Sequence, residues 1–470
     1  MLAISKPYSI KHLKNGAYRV YVSGPDLIHA SGFKKGQALC ADYANGLITV
    51  KSCREGLDGA FKLLNTSRGL ILELRSKSVE TALRGFGRAL VTAKLGVIKI
   101  VPHPSELKRL RRELRFKGRL IRNKMLDRGS LYSGMGLLSS YLANGLNKHG
   151  VKSRIRFVND ICSTALAINT QSNSMWSQRH PSAEAVCSDI RELLTVSKIP
   201  EVDILDISYP CNGMSTLIEP SERDTLHNKV GDLFIDTVAA IRASNPCLIV
   251  MECTPSFLNS DTLRLIKQAL NDYQWHGIKL SGADHGEIEN RPRVAVTGIS
   301  KGLSYALHFE EGEGVTALKR PKCQLIDFLD DIPDSSNLWK DFNHVKRKIS
   351  DDRLDFKHNV YKPSDTRIAT IIASYSSPKI GAPFLAHPTN NELMRQFTVS
   401  EHSNIKRVEP AIKEHLLKIE GGSSLLTNSR GSKSKAHSLL GMSVNRHPWE
   451  DLGETLSLKL INNINSYSLF

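Results

Sequence analysis

The sequence predicts an α/β chain, a mostly parallel sheet with helices on both faces. A small β-rich domain precedes the sheet. Three observations carry this. Residues 202–207 and 247–251 are short apolar runs of the kind that form strands buried on both faces. Residues 131–137, Leu-Tyr-Ser-Gly-Met-Gly-Leu, form a small-residue turn that leads into a helical pattern at Leu138, Tyr141, Leu142 and Leu146. Residues 155–158 read as a further strand and end in Asn159 and Asp160.

In chain order, residues 1–102 read as short strands with one helix. Residues 18–25 alternate into a turn, one helical stretch spans 26–33, and strands follow near 35–39 and 47–50. This stretch resembles small swapped-hairpin β modules over about 35 residues. It implies a DNA-binding or dimerising accessory domain, or else a small β-domain that packs on the core. Residues 103–125 open with His103-Pro104-Ser105-Glu106, a helix start, and are crowded with Lys108, Arg109, Arg111, Arg112, Arg115, Lys117, Arg119, Arg122 and Lys124. Such a helix suits a phosphate backbone, the alternative being a solvated surface helix.

Residues 126–300 contain the strand candidates. Each is followed by a group that can do chemistry, at the strand ends where ligands collect in open α/β folds. Cys211 follows Pro210 in the loop 208–215, and a thiol held there is a nucleophile if its thiolate is stabilised, or a structural cysteine if it is buried. Glu252 ends the run 247–251, and Arg291 and Arg293 lie beyond 278–280. Spaced by one residue on a strand, the two arginines are expected on one face as an anion-stabilising fork. The glycine turn ahead of a helix, followed by an acidic strand end, points to an adenosyl cofactor. Cys247, Cys253, Cys162 and Cys187 are expected to be buried and inert, Asp203 and Asp206 to be caps or surface, and His285 to be structural.

In this order the motifs resemble those of the C5 cytosine DNA methyltransferases, over roughly residues 126–460. The cofactor loop corresponds to Tyr132, Ser133, Gly134 and Gly136, the ribose acid to Asp160, and the Asp-Ile cofactor contact to Asp189 and Ile190. The Pro-Cys nucleophile loop corresponds to Pro210 and Cys211, the glutamate motif to Glu252, and the Gln-x-Arg-x-Arg motif to residues 289–293. A late arginine-threonine-glutamate motif matches residues 395–401, and the final Gly-Asn-Ser-Val matches 441–444, with Ser443 as a cofactor contact. The chain departs from the pattern at Leu137 (third glycine), Glu289 (glutamine), Cys253-Thr254 (Asn-Val) and Met442 (asparagine).

The resemblance implies a Rossmann-like catalytic domain and transfer of a methyl group from S-adenosylmethionine to C5 of a flipped cytosine through a Cys211–C6 bond. Residues 301–390 would be the target-recognition region, with Lys319, Arg320, Lys346, Arg347, Lys348, Asn359, Lys362 and Lys379 as candidate contacts. Residues 391–470 would return to the catalytic domain, through the glycine- and serine-rich stretch 421–435 and a helix over 448–460. A catalytically silent DNA-binding relative is the alternative, and an enzyme acting on RNA cytosine a third reading.

Composition agrees with a polyanionic partner, double-stranded DNA: the formal net charge is +17 and the pI about 9.4. The 470 residues suffice for two or three domains. The eight cysteines form no paired C-x-x-C and the sixteen histidines no metal spacing, so no metal is expected. There is no membrane-length apolar run and no signal-peptide core, and a monomer in a reducing cytoplasm is expected.

Overall fold

The computed structural model describes residues 3–67, 69–214, 218–307, 309–310, 312–349, 359–423 and 430–463. Ser215 of the cysteine loop, Ser424 and Ser429 of the glycine-serine stretch and the side chain of Lys348 lie outside them. The chain divides into two compact units, Met1–Arg111 and Arg112–Phe470, with the boundary inside helix α1 (Pro104–Ile121).

The first unit is an antiparallel sheet of eight strands with two short helices, Pro25–Ser31 and Lys77–Leu83. The second helix is not among the elements expected from sequence. It starts at Ser76, whose hydroxyl accepts from the Val79 amide, and it buries Val79, Ala82 and Leu83. In seven residues, two turns of apolar spacing are too short to stand out against the flanking strands.

The second unit is built on strands β1 (Leu126–Leu131), β2 (Ser153–Asp160), β3 (Glu184–Cys187), β4 (Ile204–Ser208), β5 (Leu248–Cys253), β6 (Tyr273–Ser281) and β7 (Pro292–Ser300). Their order in the sheet is β3-β2-β1-β4-β5-β7-β6. All neighbours are parallel except β7, which runs antiparallel to β5 and β6. Alternate residues of one strand feed opposite layers, as a doubly covered sheet requires. Leu248 and Val250 join a core with helices α2 (Leu137–Asn147) and α10 (Arg446–Asn462), whereas Ile249 and Met251 join a core with α4 (Ile190–Val196), α5 (Leu233–Ser244) and α6 (Asp261–Ala269). Helices α2 and α10 meet backbone to backbone. A Cβ on Gly145 would stand 2.0 Å from the Glu450 carbonyl oxygen, and one on Gly453 would stand 2.4 Å from that of Leu142. Helix α10 thus covers residues 446–462 and packs on the sheet beside α2.

Asp203 and Asp206 are neither caps nor surface. Both are fully buried. Asp206 accepts 2.6 and 2.8 Å bonds from Arg128 in the neighbouring strand, itself buried. Asp203 accepts from Arg115 (3.0 Å) and Arg119 (3.1 Å) of α1. A buried carboxylate needs a cation, and the basic helix supplies it. Arg112 completes the pattern with Asp272 (2.9 Å) and Ser300 (2.9 Å). These three arginines are therefore structural, which corrects their reading as phosphate contacts.

Between β7 and α7 (Val399–Ile405) the chain folds around its own core of Leu325, Phe328, Trp339, Ile371, Tyr375 and Phe384. Short strands Val360–Tyr361, Phe384–Ala386 and Met394–Arg395 form its sheet. Arg320, expected as a surface contact, instead bonds Asp451 of α10 at 2.5 and 2.8 Å.

Candidate active site

The carboxyl ends of β1, β2, β4 and β5 gather most of the residues predicted from sequence. Ser208 of β4 is in register with Glu252 of β5, and the Tyr209 amide donates to the Glu252 carbonyl at 2.9 Å. Pro210, fixed in φ and without an N–H, then turns the chain off the sheet. Cys211 emerges exposed, with its carbonyl taken up by the Met214 amide at 2.9 Å. A buried structural cysteine is excluded.

Glu252 is 8% exposed, and Arg293 Nε contacts its Oε1 at 2.9 Å. Burial raises the Glu252 pKa above the usual carboxylate range, while Arg293 and Arg291 pull it back. A carboxyl held between these influences can share a proton.

The two arginines do not form a fork. The strand breaks between Asn290 and Pro292, so Arg291 stands outside β7 and turns inward, 4% exposed. Its Nη2 donates to the Gly441 carbonyl at 2.7 Å, and burial followed by the neighbouring Arg293 lowers its pKa to about 10. Arg293, on the strand, alone reaches Glu252. Cys211 is close enough to influence the charge of both Arg291 and Cys253.

What holds Arg291 in place was not visible from sequence. Glu289, fully buried, accepts from the Ile371 amide (2.8 Å) and from Lys406 Nζ (2.5 Å), also fully buried, and lies 3.9 Å from Arg291 Nη1. Asn445 accepts from Lys406 at 3.2 Å and donates to the Glu289 carbonyl at 3.1 Å. The departure from glutamine to glutamate thus comes with a buried cation. Only the glutamate hinted at it, because Lys406 sits in a polar stretch typical of surface lysines.

In the turn predicted to hold the cofactor, Tyr132, Gly134 and Gly136 all have positive φ (52°, 50° and 78°), the mark of a tight turn ahead of α2. A Cβ on Gly136 would lie 2.5 Å from Asn169 Oδ1 and 2.7 Å from Asn173 Nδ2, so no other residue fits there. Leu137, the third-glycine departure, is the first residue of α2 and packs into the core. The Ser133 hydroxyl is buried with no hydrogen-bond partner among the described residues. Asp160 ends β2, and its carboxylate accepts from the Gly134 amide (2.7 Å) and the Cys162 amide (2.8 Å), clasping turn to strand. Asp189 caps α4 by accepting from the Arg191 amide at 2.9 Å, and Ile190 is buried behind it.

Helix α9 (Lys433–Met442) links the two halves of the site. Lys435 Nζ lies 3.6 Å from Cys162 Sγ, while the far end offers Gly441 to Arg291; burial raises the Asp160 pKa above the ordinary carboxylate value, with backbone hydrogen bonds and Lys435 partly offsetting it. Ser443 follows, its hydroxyl donating to the Leu439 carbonyl at 2.8 Å. Met442, the asparagine departure, is exposed, whereas Cys253 is buried in the core. Cys187 is exposed, because β3 is an edge strand, and Cys162 is half-buried at the start of the helix after β2, so neither is the buried thiol expected. Cys247 and Cys253 are buried as expected, and His285 is buried against Asp451 at 2.7 Å. In the late motif, Arg395 and Glu401 form a buried two-pronged ion pair, both contacts 2.7 Å. Among the described residues, no group of three His, Cys, Asp or Glu could hold a metal, and no helix is long and apolar enough to cross a membrane.

The family model for the C-5 cytosine-specific DNA methylase matches residues 130–424. A type II methyltransferase, M.Bsp6I of Bacillus sp. (strain RFL6), is 28% identical over 215 residues, 44% of this chain. The chain spans 63% of that relative's length. The Dnmt2 methyltransferase of S. pombe superposes with TM-score 0.51 at 16% identity, covering 72% of this chain and 99% of that one. The methyltransferase EhMeth of Entamoeba histolytica superposes with TM-score 0.52 at 18% identity, covering 71% and 98%. These structures share the fold. With the family model matching well over half of its length, the chain belongs to the C-5 cytosine-specific DNA methylase family.

Proposed function

We propose that the protein methylates C5 of cytosine in double-stranded DNA, with S-adenosylmethionine as methyl donor. The observation that carries the reading is the register of Ser208 with Glu252, which brings the exposed Cys211 loop beside a buried carboxyl bonded to Arg293. Cytosine C5 is a poor nucleophile until the aromaticity of the ring is broken. The Cys211 thiolate forms a bond to C6 while Glu252 holds the N3 edge and shares a proton there, leaving electron density on C5. When bound, the sulfonium cofactor would supply an electrophilic methyl group to C5, its S–CH3 bond breaking to leave the neutral thioether. Loss of the C5 proton and expulsion of Cys211 restore the ring. The base must leave the stack first, at a cost of a few kcal/mol.

Arg293 orients Glu252, and Arg291, braced by Glu289 and Lys406, keeps positive charge near the thiolate. The turn at Tyr132–Gly136, with Asp160, Asp189, Ile190, Pro210 and Ser443, forms the cofactor side. The free Ser133 hydroxyl fits a polar ligand there. Residues 301–390 read the target and residues 391–470 complete the catalytic domain. Each departure from the family pattern that is buried has a packing or pairing role in this structure, which favours an active enzyme over a silent binder.

The test uses purified protein, S-adenosylmethionine with a labelled methyl group, and duplex DNA of varied sequence, then 5-fluorocytosine DNA. Label in DNA and a denaturation-resistant adduct absent in Cys211→Ala are expected. DNA binding without transfer or adduct would replace the enzyme with the silent binder, and label confined to RNA would move the substrate.

A further inference from the structure

The first unit is one motif used twice. Helix Pro25–Ser31 recurs 52 residues later as Lys77–Leu83, and strands Leu39–Ala44 and Leu47–Ser52 recur 50 residues later within Arg88–Lys94 and as Val97–Pro102. The copies are interlocked by two-fold pairing. Strand Tyr18–Val22 runs antiparallel to its own counterpart in Gly69–Ser76, so that Tyr21 faces Glu73, the residue 52 positions on. Strand Leu47–Ser52 likewise pairs with Val97–Pro102, and Thr49 faces Lys99, 50 positions on. A residue facing its own equivalent marks a local two-fold axis.

The cross-links repeat the symmetry. The Gly46 amide of the first hairpin donates to the Ala82 carbonyl of the second helix at 2.9 Å. The Gly96 amide of the second hairpin donates to the Ser31 carbonyl of the first helix at 2.8 Å. The bridge Leu39–Phe61 mirrors the pair Ala89–Tyr8. One chain therefore completes a two-fold module that a single copy of the motif would need a second chain to make.

That module is strongly basic. Residues 1–111 hold 19 of the chain's 64 Lys and Arg but only 7 of its 47 Asp and Glu, a net +12 of the total +17. Around the Thr49–Lys99 axis, Ile48, Val50, Ile98 and Ile100 point into the core. Alternation places Lys51 and Lys99 on the opposite, outer side. Lys94 joins them, since Lys51 and Lys94 both pair with Val97 from its two flanking strands. All three lysines are exposed, and Asp42 is the carboxylate in register with Thr49 on that side.

We infer that this outer face, centred on the internal two-fold axis, docks the phosphate backbone of duplex DNA. The choice of occupant rests on the proposed DNA substrate and on charge complementarity. The duplicated fold rests on neither. Joined to the catalytic unit by one chain, it raises the local concentration of DNA for the second contact.

The test compares the full chain with Lys51→Gln/Lys94→Gln/Lys99→Gln for binding of a labelled duplex across a salt series. The slope of log K against log salt is expected to flatten by roughly 2 to 3, at about 0.9 for each phosphate no longer neutralised. The KM for DNA should rise at least tenfold while kcat holds. An unchanged slope and affinity would overturn the inference. So would a dimer that the substitutions dissociate, which assigns the face to a second copy, or a weakening seen only on vesicles of anionic lipid. If the wild type transfers no methyl group but its salt slope still flattens in the variant, the catalytic reading fails and this one stands. Should the triple variant misfold by circular dichroism, Lys99→Glu alone is expected to flatten the slope by about 1, and no change would overturn the inference.

Discussion

Replacing Lys406 by Met tests whether the buried Glu289–Lys406 pair offsets the missing glutamine. Both side chains are fully buried with Nζ and Oε2 at 2.5 Å, and the other Glu289 oxygen accepts from the Ile371 amide at 2.8 Å. Removing the ammonium leaves a carboxylate in a low-dielectric site, a change that costs about 3–5 kcal/mol. Glu289→Gln should cost less, because burial and Arg291 already depress the Lys406 proton affinity and the amine can shed its proton. The double variant Glu289→Gln/Lys406→Met removes both charges of the pair together and should lie within about 1 kcal/mol of wild type. The expected coupling is therefore at least about 2–4 kcal/mol, increased by whatever Glu289→Gln costs alone. At roughly 2 °C per kcal/mol in a unit of this size, Lys406→Met lowers Tm by about 6–10 °C and the double variant recovers most of it. Thermal melts read the stability arm. Methyl transfer reads the other, since each single variant leaves an unbalanced charge beside Arg291 and the double variant does not. Additive losses, with the double variant worse than either single one, would refute the pairing as the reason for the glutamate.

Other consequences follow from the same geometry. Arg293→Ala removes the strongest influence holding the Glu252 pKa down. The alkaline limb of the pH–rate profile should therefore move to higher pH, with kcat down at least tenfold, and an unshifted limb would separate Arg293 from Glu252. Gly136→Ala places a methyl group 2.5 Å from Asn169 Oδ1 at a positive φ, so equilibrium dialysis with labelled S-adenosylmethionine should show at least tenfold weaker binding, against no change if the turn tolerates a side chain. His437, buried beside His402 with Nδ1 atoms 3.1 Å apart, has its pKa lowered to about 4 by burial and then by Lys433. Its unfolded value is near 6.5, so between about pH 6.5 and 4 the unfolded chain takes up a proton that the folded chain refuses, and stability falls with falling pH by up to about 3 kcal/mol. His437→Phe should flatten that part of the Tm–pH curve, and an unchanged curve would assign the acid loss to other groups.

What was legible in the sequence followed from burial. The runs 202–207 and 247–251 are strands because every apolar residue in them meets a core on one side or the other, and such runs carry their own signal. Cys211, Glu252 and the glycine turn were legible because they sit where those strands end. The failures share a cause, which is that a charge reveals its partner only in three dimensions. Asp203 and Asp206 read as surface or caps, yet they are buried, and Asp206 is paired with Arg128 on the neighbouring strand. Lys406 could not be told from its neighbours, and the arginine fork dissolved because Pro292 restarts the strand one residue too late for Arg291. The duplication in the first unit was hidden for a related reason. Its copies share only scattered residues such as Gly46 and Gly96 or Ile48 and Ile98, positions set by the hairpin turn and the core.

Net charge misleads in the same way until it is placed in the fold. The nine cations of residues 103–125 form the densest basic run in the chain, and a duplex-binding helix is the natural reading. Yet Arg112, Arg115 and Arg119 are spaced at three and four residues, the period that lines one helical face. That face meets Asp272, Asp203 and Asp127. Spacing that would have served a phosphate row equally serves a row of buried carboxylates, and nothing in the sequence separates the two. A polyanion is bound by charge left over after such internal pairing. By that criterion the dense helix contributes less than its composition suggests. The first unit, with its surplus spread thinly over strands, contributes more. Local density measures how much charge a segment carries, whereas binding depends on how much of it the fold leaves for solvent.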